Sequence, residues 1–555
     1  MAMRRRFLWG IGSCAAGAAG AAALPGEGLS DDPLERVKVR ASAARRGARA
    51  FAVFGSAAID YKWSLHGMDR KTDDYKLALA ACHTRAADRL LFLCSTQAGV
   101  YIKAGQLLAS TRPFIPSEFS SKLSQLHDNA PQSPLADVEK VFHQDMGLEI
   151  ERTFEWFDPA PLGCASLAQV HRAGLKTESG GVEIVAVKVQ HAWMSQHTAS
   201  DLTAMKWVAR AIELSFPGVE VQWLLPVFRA SLSKELDFRL EHQNATRCAS
   251  NFNEDATVYV PKNVDRLCSR RILTMEFIDG VKVDEIQRLQ DKGFDPRAVA
   301  HMVTRVFGEM VFHHGFVHCD PHPGNMLVRW APSRSKSATT TFEEASEHKD
   351  AGSGFPQLVI LDHGLYREID EGVRVNYCRL WLAMILQDKG LLSTVATELG
   401  VGEYASLLPL VFINRALTSQ TRLGTQLSKE ERKRIKMEVL PENLRRETFD
   451  MGAAIDFIES LPRDLLFIMR TQTIVRALCS DLGYLSRDRF RMYARLAAAN
   501  ARSSSGLGRL RKWLRGVRLE TRLILLEFFM WVSPYMPSFA GFGASFSAAP
   551  ILASE

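Results

Sequence analysis

The sequence predicts an α+β fold in two lobes, the first rich in β-strands and the second mainly helical. Glu183–Val189 reads E-I-V-A-V-K-V, and its two sets of alternating positions are typical of a strand. Two apolar runs, Met326–Val328 and Leu358–Leu361, predict a further pair of short buried strands. From Asp370 to about Asn500 the pattern is mostly helical. The strand-rich lobe is therefore expected to come first.

The length and composition are typical of a large globular protein. The 555 residues exceed one ordinary domain, and 46% hydrophobic residues suffice for a large core or two lobes. The net charge of +7 is modest, and no basic stretch interleaved with aromatic residues indicates nucleic-acid binding. The nine cysteines are scattered without a CxxC pair, which favours free thiols in a reducing compartment. Cys319 and His322 are close in sequence but lack two further ligands for zinc.

The first 50 residues predict a targeting presequence or a weak membrane anchor. Arg4–Arg6 precede an apolar run at residues 7–24, a pattern typical of a signal peptide or an anchor. Residues 36–49 are rich in Arg and Ala and contain no acidic residue, as in an organelle presequence. Together with the unpaired cysteines, this favours a mitochondrial location. The secretory pathway, or anchoring through residues 7–24, is the alternative.

Residues 51–150 predict a helical extension ahead of the first lobe. A long helical pattern runs from Tyr75 to about Ser110, and a shorter one runs from Ser117 to Pro131. The longer pattern contains the sequence K-A-G-Q at 103–106. Periodicity alone supports only a scaffold of helices here.

The first lobe, residues 151–280, carries features of a nucleotide site. The stretch 161–171 has no GxGxxG motif, but its small residues permit a close approach of backbone to phosphate. The residues expected to do this are Gly163, Cys164, Ala165 and Ser166. Lys188 shares one strand face with Ala186, and its charge needs an anionic partner such as the α and β phosphates of a nucleotide. The strand from Ile272 should lead into a hinge at Glu276, Phe277 and Ile278 that meets adenine.

We also expect Lys188 to pair with a carboxylate of a downstream helix. Glu235, Asp237 and Glu241 lie on this predicted helix, and one of the two glutamates should be the partner. Six residues separate these glutamates, roughly 240° around a helix, so both cannot face the same point. The sequence does not choose between them, and the other glutamate is expected to be exposed.

The second lobe, residues 281–500, carries the residues expected of a phosphotransfer centre. In H-C-D-P-H-P-G-N, Asp320 is followed by Asn325 five positions later, and Asp362 follows the second apolar run. This spacing is typical of kinases, in which a carboxylate lies near the accepting hydroxyl and oxygen ligands hold Mg²⁺ against the phosphates. We expect Asp320 to be the catalytic base and the other two residues to bind metal. An amphipathic helix is predicted over Met302–Gly315.

Two further segments have a distinct composition. Residues 331–356 form a polar, low-complexity insertion that is expected to be disordered. The tail at 501–555 combines clustered arginines with a short apolar run containing Trp and Phe. A basic amphipathic helix of this kind either lies on an anionic membrane or lipid surface or docks on the second lobe.

Six motifs in this order resemble those of the UbiB-like atypical kinases, the aarF-domain-containing family. They are K-A-G-Q (103–106), P-L-G-C-A-S-L-A-Q-V-H (161–171), V-A-V-K (185–188), E-L-D (235–237), H-C-D-P-H-P-G-N (318–325) and L-D-H-G-L-Y (361–366). The resemblance spans about residues 75 to 480. It implies a bilobal protein-kinase-like fold with an N-terminal helical K-x-G-Q extension packed over the active site.

The resemblance also implies roles for particular residues. The K-x-G-Q residues, here Lys103, Gly105 and Gln106, would block a protein substrate, and the E-x-D pair would lie near the site. An alanine-rich loop would replace the glycine-rich one and alter nucleotide preference. This chain departs from that pattern at Gly163 and Cys164, and it has His363 where D-F-G has Phe. Family members tend to act in lipid, quinone or inner-membrane homeostasis.

Three functions agree with these features. The first is an atypical kinase or ATPase that binds ATP or ADP with Mg²⁺ and acts in mitochondrial membrane or lipid homeostasis. The second is a catalytically weak nucleotide-binding scaffold for inner-membrane proteins, and the third is a small-molecule phosphotransferase. No A-P-E signature follows Tyr366, so protein kinase activity is less supported than nucleotide binding. The oligomeric state is not predicted.

Overall fold

A computed structural model describes residues 33–69, 72–110, 115–127, 132–177, 180–216, 221–222, 224–331, 354–413 and 461–501. The chain divides into two compact units. The first comprises Met1–Ala245 and Pro261–Ile278, and the second comprises Thr246–Val260 and Asp279–Glu555. The predicted apolar run at 7–24, most of the insertion at 331–356 and nearly all of the tail at 501–555 lie outside the described residues.

The described parts of both units contain helices and strands. The helices are α1 (Pro33–Ser64), α2 (Asp73–Gln97), α3 (Val100–Ser110), α4 (Ser117–Leu123), α5 (Leu135–Met146), α6 (Ile150–Thr153), α7 (Ala192–Ser215), α8 (Leu224–Glu235), α9 (Phe238–Asn251), α10 (Ile286–Asp291), α11 (Pro296–Glu309), α12 (Glu371–Leu386), α13 (Lys389–Glu398), α14 (Leu408–Ile413), α15 (Arg463–Asp481) and α16 (Ser486–Asn500). The strands are β1 (Phe154–Phe157), β2 (Gly163–Cys164), β3 (Ala168–Lys176), β4 (Val182–Gln190), β5 (Val258–Tyr259), β6 (Ile272–Glu276), β7 (Val281–Lys282), β8 (Phe316–His318), β9 (Met326–Ala331), β10 (Phe355–Ile360) and β11 (Tyr366–Glu368). The predicted mixture of helix and sheet is confirmed.

The first unit contains an antiparallel sheet in the order β1-β3-β4-β6, with β2 paired to β3. One face of β4 is fully buried; its side chains are Val185, Val187 and Val189. On the other face, Lys188 is paired with Val170 of β3, and Ala186 is paired with Arg172. Directly paired residues of antiparallel strands project to the same side. Lys188 and Arg172 therefore share a face, and the predicted separation of Lys188 from the valines is confirmed.

The long helical pattern from Tyr75 to Ser110 is confirmed, with one break between α2 and α3. Ala98 and Gly99 take left-handed backbone angles, with φ of 58° and 50°. A Cβ at Gly99 would overlap the indole of Trp193. The sequence pattern does not show this break because the residues on both sides keep helical periodicity.

Residues 33–50, part of the predicted presequence, form the first part of α1. Within them, Arg46 Nη2 lies 2.5 Å from Asp201 Oδ2, and Nη1 donates to the Gln97 carbonyl at 2.8 Å. Burial raises the pKa of the Asp201 carboxyl, and the hydrogen bonds from Arg46 oppose this shift. Because this ion pair joins α1 to α7, a chain shortened to begin at Phe51 would leave the buried Asp201 charge without its partner.

The second unit contains a sheet in the order β5-β10-β9-β7 and the pair β8 and β11. Helix α11 continues as a π-helical turn and ends at Gly315, whose φ of 62° is left-handed. The predicted amphipathic helix and its stop at Gly315 are thus confirmed. β9 and β10 pair in antiparallel register, as the two apolar runs predict.

Within the part of the chain that the structure describes, no helix has both the length and the apolar character needed to span a membrane.

Candidate functional site

The lysine of β4 pairs with a glutamate of α9. Lys188 Nζ lies 2.7 and 2.9 Å from the two carboxylate oxygens of Glu241, and 5.0 Å from the centroid of the Phe238 ring. The side chains of Lys188 and Glu241 are only 13% and 4% exposed. A buried lysine charge requires such an anionic partner. Of the two glutamates that the sequence leaves open, Glu241 is the partner of Lys188.

Glu235 is buried and pairs with the lysine of the K-A-G-Q sequence. Its Oε2 lies 2.5 Å from Lys103 Nζ, and its side chain is 9% exposed. The expectation that the second glutamate is exposed is therefore wrong. The single predicted helix is also wrong, because α8 ends at Glu235 and α9 begins at Phe238. Because of this break, Glu235 and Glu241 lie on two different helices, and each pairs with a different lysine.

Asp237 lies at the break and caps the start of α9. Its carboxylate accepts a hydrogen bond from the Arg239 amide at 3.1 Å, as N-cap residues do. The Arg239 guanidinium, 2.7 Å away, holds the pKa of the Asp237 carboxyl below its usual range. The preceding carbonyl, that of Leu236, accepts from Gln190 Nε2 at 2.9 Å. The E-L-D motif thus ends one helix and starts the helix that carries Glu241.

Gly105 and Gln106 of the K-A-G-Q motif hold α3 in its packing. A Cβ at Gly105 would overlap Leu126 Cδ1 and approach Cys94 Sγ to 3.1 Å. Gln106 Nε2 donates to the Leu126 carbonyl at 3.0 Å. Gly105 and Gln106 therefore fix the turn after α4 against α3, while Lys103 reaches Glu235.

β2 and β3 form the hairpin predicted for the phosphate loop. Its turn is closed by the Ala165 amide, which donates to the Ala168 carbonyl at 2.8 Å. Gly163 and Ala165 are exposed, Cys164 is half-buried and Ser166 is buried. Partial burial raises the pKa of the Cys164 thiol. The backbone at the loop tip is therefore accessible to a ligand, whereas the Ser166 side chain faces away from solvent.

A buried polar network supports this loop. The His191 ring donates from Nε2 to the Ala165 carbonyl at 3.1 Å and accepts at Nδ1 from Ser133 Oγ at 2.7 Å. Gln169 makes two hydrogen bonds with the backbone of Ser133, at 2.7 and 3.1 Å. Burial lowers the pKa of His191, which keeps the ring neutral at pH 7. The sequence pattern gives no signal for this network, since its residues come from three separate segments.

The predicted hinge follows β6. The Glu276 amide donates to the Lys262 carbonyl at 2.8 Å, and the Phe277 amide donates to the Ile184 carbonyl at 3.2 Å. An adenine contact at Glu276 or Phe277 would therefore use the carbonyl group of that residue. Ile278, the third predicted residue, is buried.

In the second unit, β8 leads into the loop that carries Asp320. The Asp320 side chain is 34% exposed, and its carbonyl accepts from Asn325 Nδ2 at 3.3 Å. Its amide donates to His318 Nδ1 at 3.1 Å. Burial lowers the pKa of His318, so this ring remains a neutral acceptor. The Asp320 backbone is thus held at both ends while its carboxylate stays partly open.

Asn325 and Asp362 lie at neighbouring strand ends, as predicted. Met326 at the start of β9 pairs with Ile360 at the end of β10. The Leu361 amide donates to the Asn325 carbonyl at 2.9 Å, which continues the pairing for one more residue. The register of β9 and β10 therefore brings the amide and the carboxylate to one edge of this sheet.

His363 replaces the apolar residue of D-F-G with a hydrogen-bonded ring. It is 2% exposed, and its Nε2 donates to the Ile360 carbonyl at 3.0 Å. Its Nδ1 therefore accepts from the Tyr366 hydroxyl, also at 3.0 Å. These two hydrogen bonds tie the segment after Asp362 to the end of β10.

Sequence reasoning missed Arg470 of α15. Its Nη2 lies 3.4 Å from Asp320 Oδ1, and its Nε is buried without a partner among the described residues. The adjacent Thr471 hydroxyl donates to the His318 carbonyl at 3.3 Å. Because 150 residues separate Arg470 from Asp320, no motif spacing could have linked them.

Cys319 and His322 are not arranged as zinc ligands. Burial raises the pKa of the Cys319 thiol to about 12, so the thiol stays protonated at pH 7. The His322 ring accepts from the Gly324 amide at 3.2 Å and caps a local turn. The eight cysteines in the described part of the chain are free thiols.

The connection after β11 is short. β11 ends at Glu368, and α12 begins at Glu371 with Asp370 as its N-cap. Two residues lie between these elements, so no extended segment is present there to bind a peptide.

Comparisons with known proteins identify the family of this chain. The family model described as "ABC1 atypical kinase-like domain" matches residues 125–396. An ABC1 protein of Arabidopsis thaliana, At2g40090, is 32% identical over 96% of this chain and 98% of its own length. AarF domain-containing protein kinase 1 of Xenopus laevis is 34% identical over 78% of each chain. AarF domain-containing kinase 1 of Drosophila melanogaster is 33% identical over 79% of each.

The resemblance recognised from the six motifs is therefore confirmed over most of the chain. The chain belongs to the ABC1 or AarF family of atypical kinase-like proteins.

Proposed function

We propose that this protein is an atypical kinase or ATPase that binds ATP or ADP together with Mg²⁺. The observation that carries the proposal is the buried ion pair of Lys188 with Glu241. In kinases a strand lysine held by a helical glutamate contacts the α and β phosphates, and the pair must be in place for transfer. Lys188 would bind the phosphates, and Asp320 would accept the proton of the attacking hydroxyl or water.

The residues at the ends of β9 and β10 fit Mg²⁺ by their donor chemistry. Asn325 and Asp362 offer amide and carboxylate oxygens, the hard ligands that Mg²⁺ prefers. The described residues contain no group of three or more His, Cys, Asp or Glu side chains that could hold a metal ion. Mg²⁺ in nucleotide sites commonly uses one or two protein oxygens with phosphate and water, so a pair suffices. When bound, Mg²⁺ would neutralise charge on the transferring phosphate.

Two other segments of the first unit would complete nucleotide binding. The exposed backbone at Gly163 and Ala165, with Cys164 between them, would approach the phosphates. The carbonyls of Glu276 and Phe277 would accept from the base. The E-x-D residues Glu235 and Asp237 would act through helix placement, since their carboxylates already contact Lys103 and Arg239.

The short connection between β11 and α12 favours an acceptor that needs no peptide platform. Water or a small hydroxyl compound, such as a lipid headgroup, meets that condition. A small-molecule phosphotransferase is therefore the second candidate function, and it uses the same Asp320.

We place this activity in mitochondria, at the inner membrane, with a role in lipid homeostasis. The support is the arginines at 4–6 ahead of the apolar run at residues 7–24, together with the resemblance to the family. The Arg-rich stretch 36–49 does not count toward it, because it is part of helix α1. The basic tail at 501–555 would bind the anionic membrane surface. The alternative to an enzyme is a catalytically weak, nucleotide-binding scaffold at the same membrane.

The test is ATP hydrolysis by the purified full chain with Mg²⁺, beside Asp320→Asn. Liposomes with and without an anionic lipid are added in parallel arms. We expect turnover that the substitution lowers by about 10² to 10⁴-fold, the usual contribution of a general base. Anionic liposomes should raise it, whereas neutral liposomes should not.

Tight ATP binding with no turnover above that of Asp320→Asn would contradict the enzyme and support the scaffold. Turnover that appears only when a small hydroxyl compound is added, with its phosphorylated product, would favour the second candidate.

A further inference from the structure

The sheet face that carries Lys188 holds a second cation, Arg172 of β3. Its guanidinium carbon lies 4.9 Å from the centroid of the Phe277 ring and 5.6 Å from that of Trp156. Trp156 covers Gly174, where a Cβ would overlap the indole. The guanidinium is thus held beside two aromatic rings, which restricts its orientation.

Arg172 has aromatic neighbours but no acceptor among the described residues. Its Nε is buried and makes no hydrogen bond, and no ion pair joins its guanidinium to a described carboxylate. Two other arginines of this unit differ, since Arg46 pairs with Asp201 and Arg271 with Asp145. A buried N–H that has lost water without gaining an acceptor is unfavourable. A ligand that carries an acceptor and binds on this face of the sheet would supply the hydrogen bond that the guanidinium lacks.

The strand register locates this ligand relative to Lys188. Arg172 is paired with Ala186, which lies two residues before Lys188 on β4. Two residues of a strand span about 7 Å. If the phosphates lie at Lys188, the ribose and base extend along this face toward Ala186 and the hinge residue Phe277. Arg172 is therefore placed to contact the uncharged nucleoside part of a bound nucleotide.

We propose that Arg172 is a nucleoside-binding residue that donates hydrogen bonds to acceptor atoms of the ribose or base. A guanidinium offers donors and no acceptor, so it favours ribose oxygens, ring nitrogens and carbonyls over amino groups. The contact selects among nucleotides independently of phosphate binding by Lys188. This inference rests on the proposed nucleotide site and adds a specificity residue to it.

The experiment measures dissociation constants of the full chain by calorimetry for ATP, ADP and adenosine. Arg172→Met keeps a long apolar stem beside the rings and removes the donors. We expect this substitution to raise the dissociation constants of all three ligands by a similar factor, about tenfold or more. A loss of this size corresponds to one hydrogen bond to a charged group. The double variant Lys188→Met, Glu241→Leu leaves no buried charge unpaired, and it should weaken the binding of ATP and ADP by a larger factor than the binding of adenosine.

Two further ligands distinguish the source of the acceptor. A contact to the ribose 2′-hydroxyl predicts that 2′-deoxy-ATP binds the wild type and Arg172→Met equally. A contact to another ribose oxygen predicts that the substitution weakens the binding of 2′-deoxy-ATP, ATP and GTP by the same factor. A base contact predicts that the substitution weakens the binding of 2′-deoxy-ATP as much as that of ATP, and the binding of GTP by a different factor.

Two variants guard against a folding artefact. Arg152→Met, at an 84% exposed position on α6, controls for the substitution itself and should bind like wild type. Arg172→Lys keeps the charge and stem and should lie between wild type and Arg172→Met. Thermal unfolding of each variant shows whether the unit remains folded.

Unchanged adenosine binding in a folded Arg172→Met protein would overturn the inference and leave the nucleotide site intact. A loss confined to ATP and ADP would also overturn it, since it would mean a phosphate contact. If the wild type binds none of these ligands, the proposed function itself fails, and the inference fails with it.

Discussion

The guanidinium of Arg470 lies beside the carboxylate of Asp320, with Nη2 3.4 Å from Oδ1. The arginine comes from α15, and its buried Nε has no partner among the described residues. The contact orients the carboxylate without closing it off, since Asp320 remains 34% exposed. Arg470 is therefore a positioning residue for the proposed base.

Replacing Arg470 by Met should lower ATP turnover more than it lowers ATP binding. A misplaced base slows the chemical step, and displacements of about 1 Å can cost up to 10²-fold. We expect the kcat of Arg470→Met to fall about tenfold or more while the Kd for ATP changes little. Arg487→Met, at a half-exposed position on α16 beside Asp488, is the matched control. An equal loss in both variants, or a loss in Kd alone, would contradict this role.

Breaking the Lys188–Glu241 pair should destabilise the protein even without nucleotide. Glu241 is 4% exposed, so Lys188→Met would leave its charge buried and unpaired. Removing one partner of a buried pair costs about 3–5 kcal/mol of unfolding free energy. The double variant Lys188→Met, Glu241→Leu removes both charges and should recover part of this loss.

Urea unfolding of the two single variants and the double variant completes this cycle. Additive losses in the double variant would show that the two charges do not stabilise each other. Nucleotide binding should be lost in the double variant as well, because phosphate contact needs the lysine and not merely a folded sheet.

Gly105→Ala should destabilise the helical extension through packing. The added methyl would overlap Leu126 and press on Cys94 Sγ. Overpacking of this kind costs about 1–3 kcal/mol, and a helix-propensity gain of about 0.5–1 kcal/mol offsets part of it because Gly105 is also helical. Gly55→Ala on α1 is the matched control, because no atom lies within 4 Å of its Cβ position. The control should gain roughly 0.5–1 kcal/mol from helix propensity, and equal effects in both variants would refute the packing argument.

Stability should fall as the pH drops from about 6.5 toward 4. Burial and the nearby Arg46 charge lower the pKa of His197 from 6.5 to about 4. The unfolded state then binds more protons than the folded state in this window, so unfolding free energy rises with pH. The stabilisation is fully present above pH 6.5 and is lost as the pH falls through the folded pKa.

The measurement is the urea midpoint between pH 4 and 7 for wild type and His197→Gln. The variant should show a shallower dependence, because the imidazole of His197 no longer titrates. The ring of His314 is half-buried and its pKa is lowered to about 4 by burial, so it keeps part of the slope. His143→Gln on α5 changes an exposed ring and should retain the full slope. An unchanged slope in His197→Gln would rule out its contribution.

Local patterns carried most of the fold prediction. Alternation placed Lys188 opposite the valines of β4, helical periodicity found α11 and its stop at Gly315, and two apolar runs gave β9 and β10. These features depend on neighbours within a few residues. The six motifs, in their order along the chain, also sufficed to identify the family. The similarity to known relatives confirms that this chain belongs to it.

What the sequence by itself determined, then, is which segments become strands and helices and which residues are chemically suited to phosphate and metal. The tertiary structure alone decided the partners: Glu241 and not Glu235 for Lys188, Lys103 for Glu235, Arg470 for Asp320, and two aromatic rings without an acceptor for Arg172. The reason is physical. Secondary structure follows from the periodicity of burial along the chain, whereas the partner of a buried charge depends on which distant side chain the packing brings within about 4 Å.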